Sequence, residues 1–145
     1  MIQRKQSLWL LLSALLGAGV FLFDLYRGDV TVGDLTEHKV LRVGDHYPSL
    51  LIAVVMVVLP LLTIFMFRNR KRQMAMTSIC ILSAISFLSI MLVRVTGLTR
   101  LTPPVTGGSY WIGAVLPALS VVFMLLALLG IRSDEKLVRS VDRLR

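Results

Sequence analysis

Residues 47–93 read YPSLLIAVVMVVLPLLTIFMFRNRKRQMAMTSICILSAISFLSIMLV. Two long apolar runs flank a short turn. No charge occurs from residue 50 to 67, and none from 73 to 93. Between them Arg68, Arg70, Lys71 and Arg72 crowd into five positions. A helix needs about 20 mainly apolar residues to cross the hydrocarbon core of a bilayer, so each run is long enough to span one. Backbone groups in lipid have no water to bond, which makes each crossing helical. The stretch therefore reads as two transmembrane helices joined by a tight basic turn.

Working outward, residues 7–26 supply a span before this hairpin and residues 110–131 a span after it. The expected helices are thus 7–26, 47–67, 73–93 and 110–131, with a tail at 132–145. The fold class is an all-α integral membrane protein, a single membrane domain over 1–145 built as a four-transmembrane-helix bundle. Composition agrees. The chain is 56% hydrophobic and 17% charged, with a mean hydropathy of +0.79. Ordinary soluble domains hold about 45–50% apolar and about 25% charged residues. A globule of this size cannot hide that much apolar surface from water. Arg4 and Lys5 ahead of the first run have the form of a signal-peptide n-region. The run continues through Val20, Phe21, Leu22 and Phe23 without a small-x-small cleavage site, so a retained helix is expected.

Charge sets the orientation, because short cytoplasmic connections collect Lys and Arg. The N-terminus, the 68–72 turn and the tail together hold eleven basic and three acidic residues, and the other side five of each. The net charge of +8 is thus expected to face the cytoplasm. Tyr26, Tyr47, Tyr110 and Trp111 fall at outer span ends and Trp9 near an inner one, the headgroup level that amphipathic rings favour. Helices in lipid associate through small residues that permit close approach. Candidates are Ser13-x-x-x-Gly17 and Ala14-x-x-x-Ala18, the series Ser83, Ser86 and Ser89 with Cys80 and Ala84, and Gly113-x-x-x-Pro117 with Ala114-x-x-x-Ala118. Cys80, the one cysteine, packs between helices and forms no intramolecular disulfide. Pro60 and Pro117 fall inside spans and predict kinks.

Several chemistries lack their residues. Pumps, proton-coupled exporters and ion channels usually keep an ionisable group within the membrane. The nearest is Asp24, one residue beyond Phe23 and close to the outer interface. Thiol oxidoreductases of this size need paired cysteines. Bundle haem proteins need intramembrane histidine, whereas His38 and His46 both lie in the first outer loop. That loop, 27–46, also holds Asp29, Asp34, Glu37 and Asp45. These donors have no recognised zinc spacing and read as a solvated charged loop. Val30-Thr31-Val32 and the run 39–43, with turn signals at Gly33-Asp34 and Gly44-Asp45, predict a small β-hairpin capping the bundle. The second outer loop, with Pro103-Pro104 and Gly107-Gly108, reads as irregular. No catalytic residue, cofactor site or metal site is expected, and no enzyme.

In the tail, Leu137, Val141 and Leu144 recur on one helical face. Glu135 and Arg139 stand four apart with the acid first, the favourable order. A short amphipathic helix continuing the fourth span is predicted. Its basic residues, with Arg68, Arg70, Lys71 and Arg72, lie against anionic lipid headgroups, each worth on the order of 1 kcal/mol of attraction. No base-reading element accompanies the charge, so nucleic acid is not an expected partner.

Residues 1–8, MIQRKQSL, and 134–145, DEKLVRSVDRLR, resemble the opening and ending of an uncharacterised four-helix membrane family found in Bacteroidota, domain of unknown function 4293. The resemblance implies an inner-membrane protein with no assigned activity and no assigned catalytic residues. The leading expectation is a non-catalytic accessory or scaffold subunit of the bacterial inner membrane, both termini cytoplasmic. It would meet an unidentified protein partner through Gln3, Arg4, Asp134, Glu135, Arg139, Asp142 and Arg143. The alternative is a small-molecule transporter or efflux component working through the two proline-kinked spans. A third reading is a lipid-responsive surface protein driven by the basic turn and tail.

Overall fold

A computed structural model describes residues 5–32, 35–67, 69–100 and 105–142, with backbone alone at 32, 106 and 138–142. Its elements are α1 (Lys5–Gly19), β1 (Tyr26–Val32), β2 (Leu35–Leu41), one 3₁₀ turn (Val43–Asp45), α2 (Tyr47–Phe65), α3 (Arg70–Thr99), β3 (Thr106–Tyr110) and α4 (Ile112–Asp142). The expected hairpin at the basic turn is present, and Asn69 starts α3 by accepting the Arg72 N–H at 3.2 Å. His46 does the same for α2, its Nδ1 accepting from the Ser49 N–H at 3.3 Å.

The helices pack chiefly between chain neighbours, and α1 closes the ring against α4. Their inner seams carry small and polar residues beside a few large apolar ones such as Leu10, Met56, Phe87 and Met124. Ser13, Ser49, Thr63, Gln73, Thr77 and Ser120 are buried, as are Ala53, Cys80, Ala84 and Ala127. Large apolar residues such as Leu15, Leu51, Phe65, Leu82, Val93 and Leu129 face outward. A water-soluble helix ring turns a polar face outward instead of so many large apolar residues. Each buried hydroxyl is satisfied close by. Ser13 donates to the Leu10 carbonyl at 2.7 Å, Thr63 to Leu59 at 2.7 Å, and Thr77 to Gln73 at 2.8 Å. Ser120 crosses to the Ser13 carbonyl at 2.9 Å and ties α4 to α1. Among the described residues no buried side-chain nitrogen or oxygen lacks a partner.

Among the described residues three helices, α2, α3 and α4, are long and apolar enough to cross a membrane. That marks a membrane protein. The first expected span, 7–26, is corrected. α1 ends at Gly19 after 15 residues, about 22 Å at the helical rise of roughly 1.5 Å. Beyond it Val20, Phe21 and Leu22 bond back to Gly17, Ala18 and Gly19 in tighter i to i−3 turns. The chain then turns at Asp24 into β1, because Tyr26 is drawn into the sheet. By contrast α3 runs longer than expected, 30 residues, while α4, 31 residues, joins the fourth span to the expected tail helix; each is about 45 Å long. The fourth span starts at Ile112 instead of 110, since Tyr110 belongs to a strand. α4 continues unbroken through the expected tail as far as Asp142. Pro60 and Pro117 are buried inside continuous helices.

The stripe Ser83, Ser86, Ser89 does not pack against another helix of the bundle, because Ser86 and Ser89 face outward. Steps of three fall short of the 3.6-residue turn, so such a series winds off one face. The buried seam of α3 is instead Thr77, Cys80, Ala84, Phe87, Met91 and Val95, which advances in steps of three or four.

The expected hairpin is β1 against β2, antiparallel, from Tyr26 opposite Leu41 to Val32 opposite Leu35. Its turn at Gly33-Asp34 lies outside the described residues. The second loop, read as irregular, contributes β3 to the other side of β1, giving the order β2-β1-β3. Gly107, at φ 65°, makes this strand possible by adopting the left-handed region.

Candidate functional site

The segments joining the helices meet at two ends, one bearing the sheet and one bearing the basic turn and tail. At the sheet end the organising residue is Asp24, only 8% exposed. Its Oδ1 accepts from Arg42 Nε at 2.6 Å. Its Oδ2 accepts from Arg27 Nε at 2.9 Å and Nη2 at 2.6 Å. These charge-assisted bonds hold the Asp24 carboxyl below its ordinary value, the Arg42 bond counting first and the Arg27 bond second. The same pairing raises the Arg42 guanidinium. Arg27 also lies 4.3 Å over the Trp111 ring, a cation–π contact.

The knot is multi-segment. Arg94, near the end of α3, donates to the Arg42 carbonyl at 2.9 Å, and the Arg42 N–H donates to Asp45 Oδ2 at 2.9 Å. The Trp111 and Gly113 N–H groups, at the start of α4, donate to the Leu25 and Asp24 carbonyls at 3.1 Å each. Gly113 is required there, because a Cβ would sit 2.5 Å from the Asp24 carbonyl oxygen and 2.7 Å from that of Phe23. A cleft of about 400 Å³ opens beside Asp24, Arg42 and Asp45. Every acceptor position of Asp24 described above is engaged by arginine, so the knot works as a fastening that joins α1, β1, β2, α3 and α4.

Other outer residues sit apart from it. His38 Nδ1 bonds Asp29 Oδ1 across the strands at 2.6 Å. His46 caps α2, whereas Asp45, bonded to the Arg42 N–H of the knot, also caps the 3₁₀ turn. Among the described residues no three His, Cys, Asp or Glu side chains gather as metal ligands. Of the rings expected at headgroup level, Tyr26 is buried and packs edge-on against Tyr110 at 5.5 Å, while Tyr47 is 85% exposed. Trp9 stacks on Phe123.

At the basic end, Gln3, Arg4, Arg68 and Arg143 lie outside the described residues. Arg139 and Asp142 lie on the last turns of α4, their backbone alone described. Two of the remaining sequence-predicted residues come together. Arg70 Nη1, at the start of α3, donates to the Asp134 carbonyl at 3.0 Å. The Asp134 carboxylate in turn accepts from the buried Gln6 amide of α1. Glu135 is half-buried beside them, while Lys71 and Arg72 are exposed. Three helices are thus clasped where α4 leaves the apolar zone.

The sequence reading missed the Asp24, Arg27, Arg42 and Trp111 knot. Asp24 and Arg27 stand three apart and are legible as a local pair. Arg42, eighteen residues on, and Trp111, on another loop, carry no sequence signal of meeting them.

The family model for Domain of unknown function (DUF4293) matches residues 2–144, essentially the whole chain. The chain belongs to that family. The match includes both termini on which the resemblance rested and the middle that offered none. No curated protein and no solved structure matches the chain.

Proposed function

We propose that this DUF4293 protein is a non-catalytic accessory or scaffold subunit of a bacterial inner membrane. In this reading all four helices cross the bilayer, both termini are cytoplasmic, and the extended end of α4 presents a docking surface to a cytoplasmic protein. The observation that carries the reading is the continuity of α4. At 31 residues it is about 46 Å long, against a hydrocarbon core of about 30 Å. Some 16 Å, about three turns, therefore project beyond the core as a helix, with their first turn clasped by Gln6 and Arg70. A projecting rigid helix costs a partner less ordering entropy than a loose tail does.

Charge placement supports the orientation. Arg70, Lys71 and Arg72 occupy the first turn of α3, which has no acidic residue. Cations there oppose the helix dipole. Their retention on the cytoplasmic side is what membrane topology asks for, where they contact anionic headgroups. The short α1 crosses with its 3₁₀ extension to Phe23, and the knot at Asp24 marks the outer surface.

Co-purification in native lipid nanodiscs, with quantitative mass spectrometry, tests the reading. The intact chain is compared with one ending after Leu137, a cut that leaves the Asp134 clasp in place. A stoichiometric cytoplasmic protein present with the intact chain and lost on truncation is the expected result. Equal recovery from both, or none from either, overturns it.

A further inference from the structure

We propose that the outer edge of β2 is a self-association site, joining a second copy of this chain into a continuous six-stranded sheet. β2 is an edge strand, bonded to β1 on one side only in the order β2-β1-β3. From Leu35 to Val40 its side chains are exposed. Alternate residues of an edge strand direct their N–H and C=O groups away from the sheet, a template for another strand.

The occupant is set by charge. β2 reads Leu35-Thr36-Glu37-His38-Lys39-Val40-Leu41. On β1, Glu37 stands opposite Val30 and Lys39 opposite Gly28, so neither meets a counter-charge across the strands. A two-fold axis perpendicular to a continuous sheet sets one residue opposite its own copy, since the axis keeps each side chain on its face. Centred on His38, antiparallel pairing puts Glu37 against the partner's Lys39 and Lys39 against the partner's Glu37. Leu35 then meets Leu41, and Thr36 meets Val40. Centring on Glu37 or on Lys39 sets like charges face to face, which is unfavourable. An edge lysine usually guards against unwanted pairing. Here the glutamate two residues earlier lifts that guard for one partner alone, the same strand running the other way. The row through the axis would read Asp29, His38, His38 and Asp29, each histidine already bonded to its own aspartate.

The test uses the full chain in liposomes on a Cys80→Ala background. Paired Cα atoms near the axis lie about 4.5–5.5 Å apart, within disulfide reach. His38→Cys should therefore give a cross-linked dimer under mild oxidation. Leu35→Cys, about 20 Å from its copy along the strand at roughly 3.3 Å per residue, should not. A second measurement avoids cysteine. Energy transfer between labelled copies should fall at least tenfold in apparent affinity for Glu37→Lys alone and for Lys39→Glu alone. The two variants mixed should associate as the wild type does, because each supplies the charges the other lacks. Equal cross-linking at Leu35 and His38, a wild type that stays monomeric, or single charge variants that associate unchanged would each overturn the proposal.

Discussion

The segments meeting at the sheet end carry five basic and five acidic residues, and those at the other end eleven and three. At the sheet end a buried carboxylate takes both its arginines from its own chain, and backbone bonds from α4 close over it. At the basic end, among the described residues, the Asp134 carboxylate accepts from an uncharged amide, Gln6, and its carbonyl from Arg70, while Lys71 and Arg72 are exposed. The first arrangement fixes how segments of the chain meet. The second leaves Lys71 and Arg72 exposed, which under the proposed function would meet lipid headgroups or a partner. Charged groups thus serve cohesion at the sheet end and are left largely unmatched at the other, and the difference lies in whether acids match bases locally.

The comparison breaks most severely at Gly113. Gly113→Ala drives a methyl group against two backbone carbonyl oxygens that cannot rotate away, an overpacking cost of about 3 kcal/mol. A thermal melt in detergent should show a fall of several degrees, and Gly113→Val should give no folded protein. Next in size is Asp24→Asn, which exchanges charge-assisted bonds for weaker ones at about 1–3 kcal/mol. Its effect depends on pH with a defined sign. The folded carboxyl titrates below its ordinary value of 3.8, so its stabilisation is present in full above that value and is lost as pH falls through the lower folded value. The melting difference between wild type and Asp24→Asn should hold steady above about pH 5 and shrink below pH 4. A difference that grows on acidification would show that Asp24 is not held as a carboxylate.

At the basic end the expected stability effects are smaller. Gln6→Ala or Arg70→Ala removes one hydrogen bond of the clasp, about 0.5–1.5 kcal/mol, and should raise amide exchange in the last turns of α4 while leaving the sheet unchanged. Least of all, Lys71→Ala and Arg72→Ala should leave the melt within about 0.5 kcal/mol. They should instead lower the number of anionic lipids retained in native mass spectrometry, each by roughly fivefold in affinity. Should they shift the melt as much as Asp24→Asn does, the contrast between the two ends fails.

Much of this was legible in the chain. The 50–67 and 73–93 runs became α2 and the core of α3, because an uncharged stretch of that length has one backbone solution in lipid. Val30-Thr31-Val32 gave a strand for the same local reason, β-branched alternation beside a turn signal. What failed was reading where elements stop. Residues 20–26 looked like more of the first span, since Phe21, Leu22 and Phe23 are apolar. They leave the α-helix because Leu25 and Tyr26 are claimed by the sheet and Asp24 by two arginines. Of the small residues expected on α3, Cys80 and Ala84 are buried but Ser86 and Ser89 face outward, since identity alone does not say which face a neighbour will cover.

The sequence by itself determined that the chain is apolar in long helical runs, and that its charge is concentrated beside three of its segments. Apolar length and charge position are properties of each stretch alone, so no folding is needed to read them. Only the tertiary structure decided that Asp24, Arg27, Arg42 and Trp111 meet, that Gln6 and Arg70 hold Asp134, and that β3 completes the sheet while β2 stays open. Those outcomes join residues separated by up to 128 positions. Their pairing is set by how four helices close into a ring, which no local pattern of residues encodes.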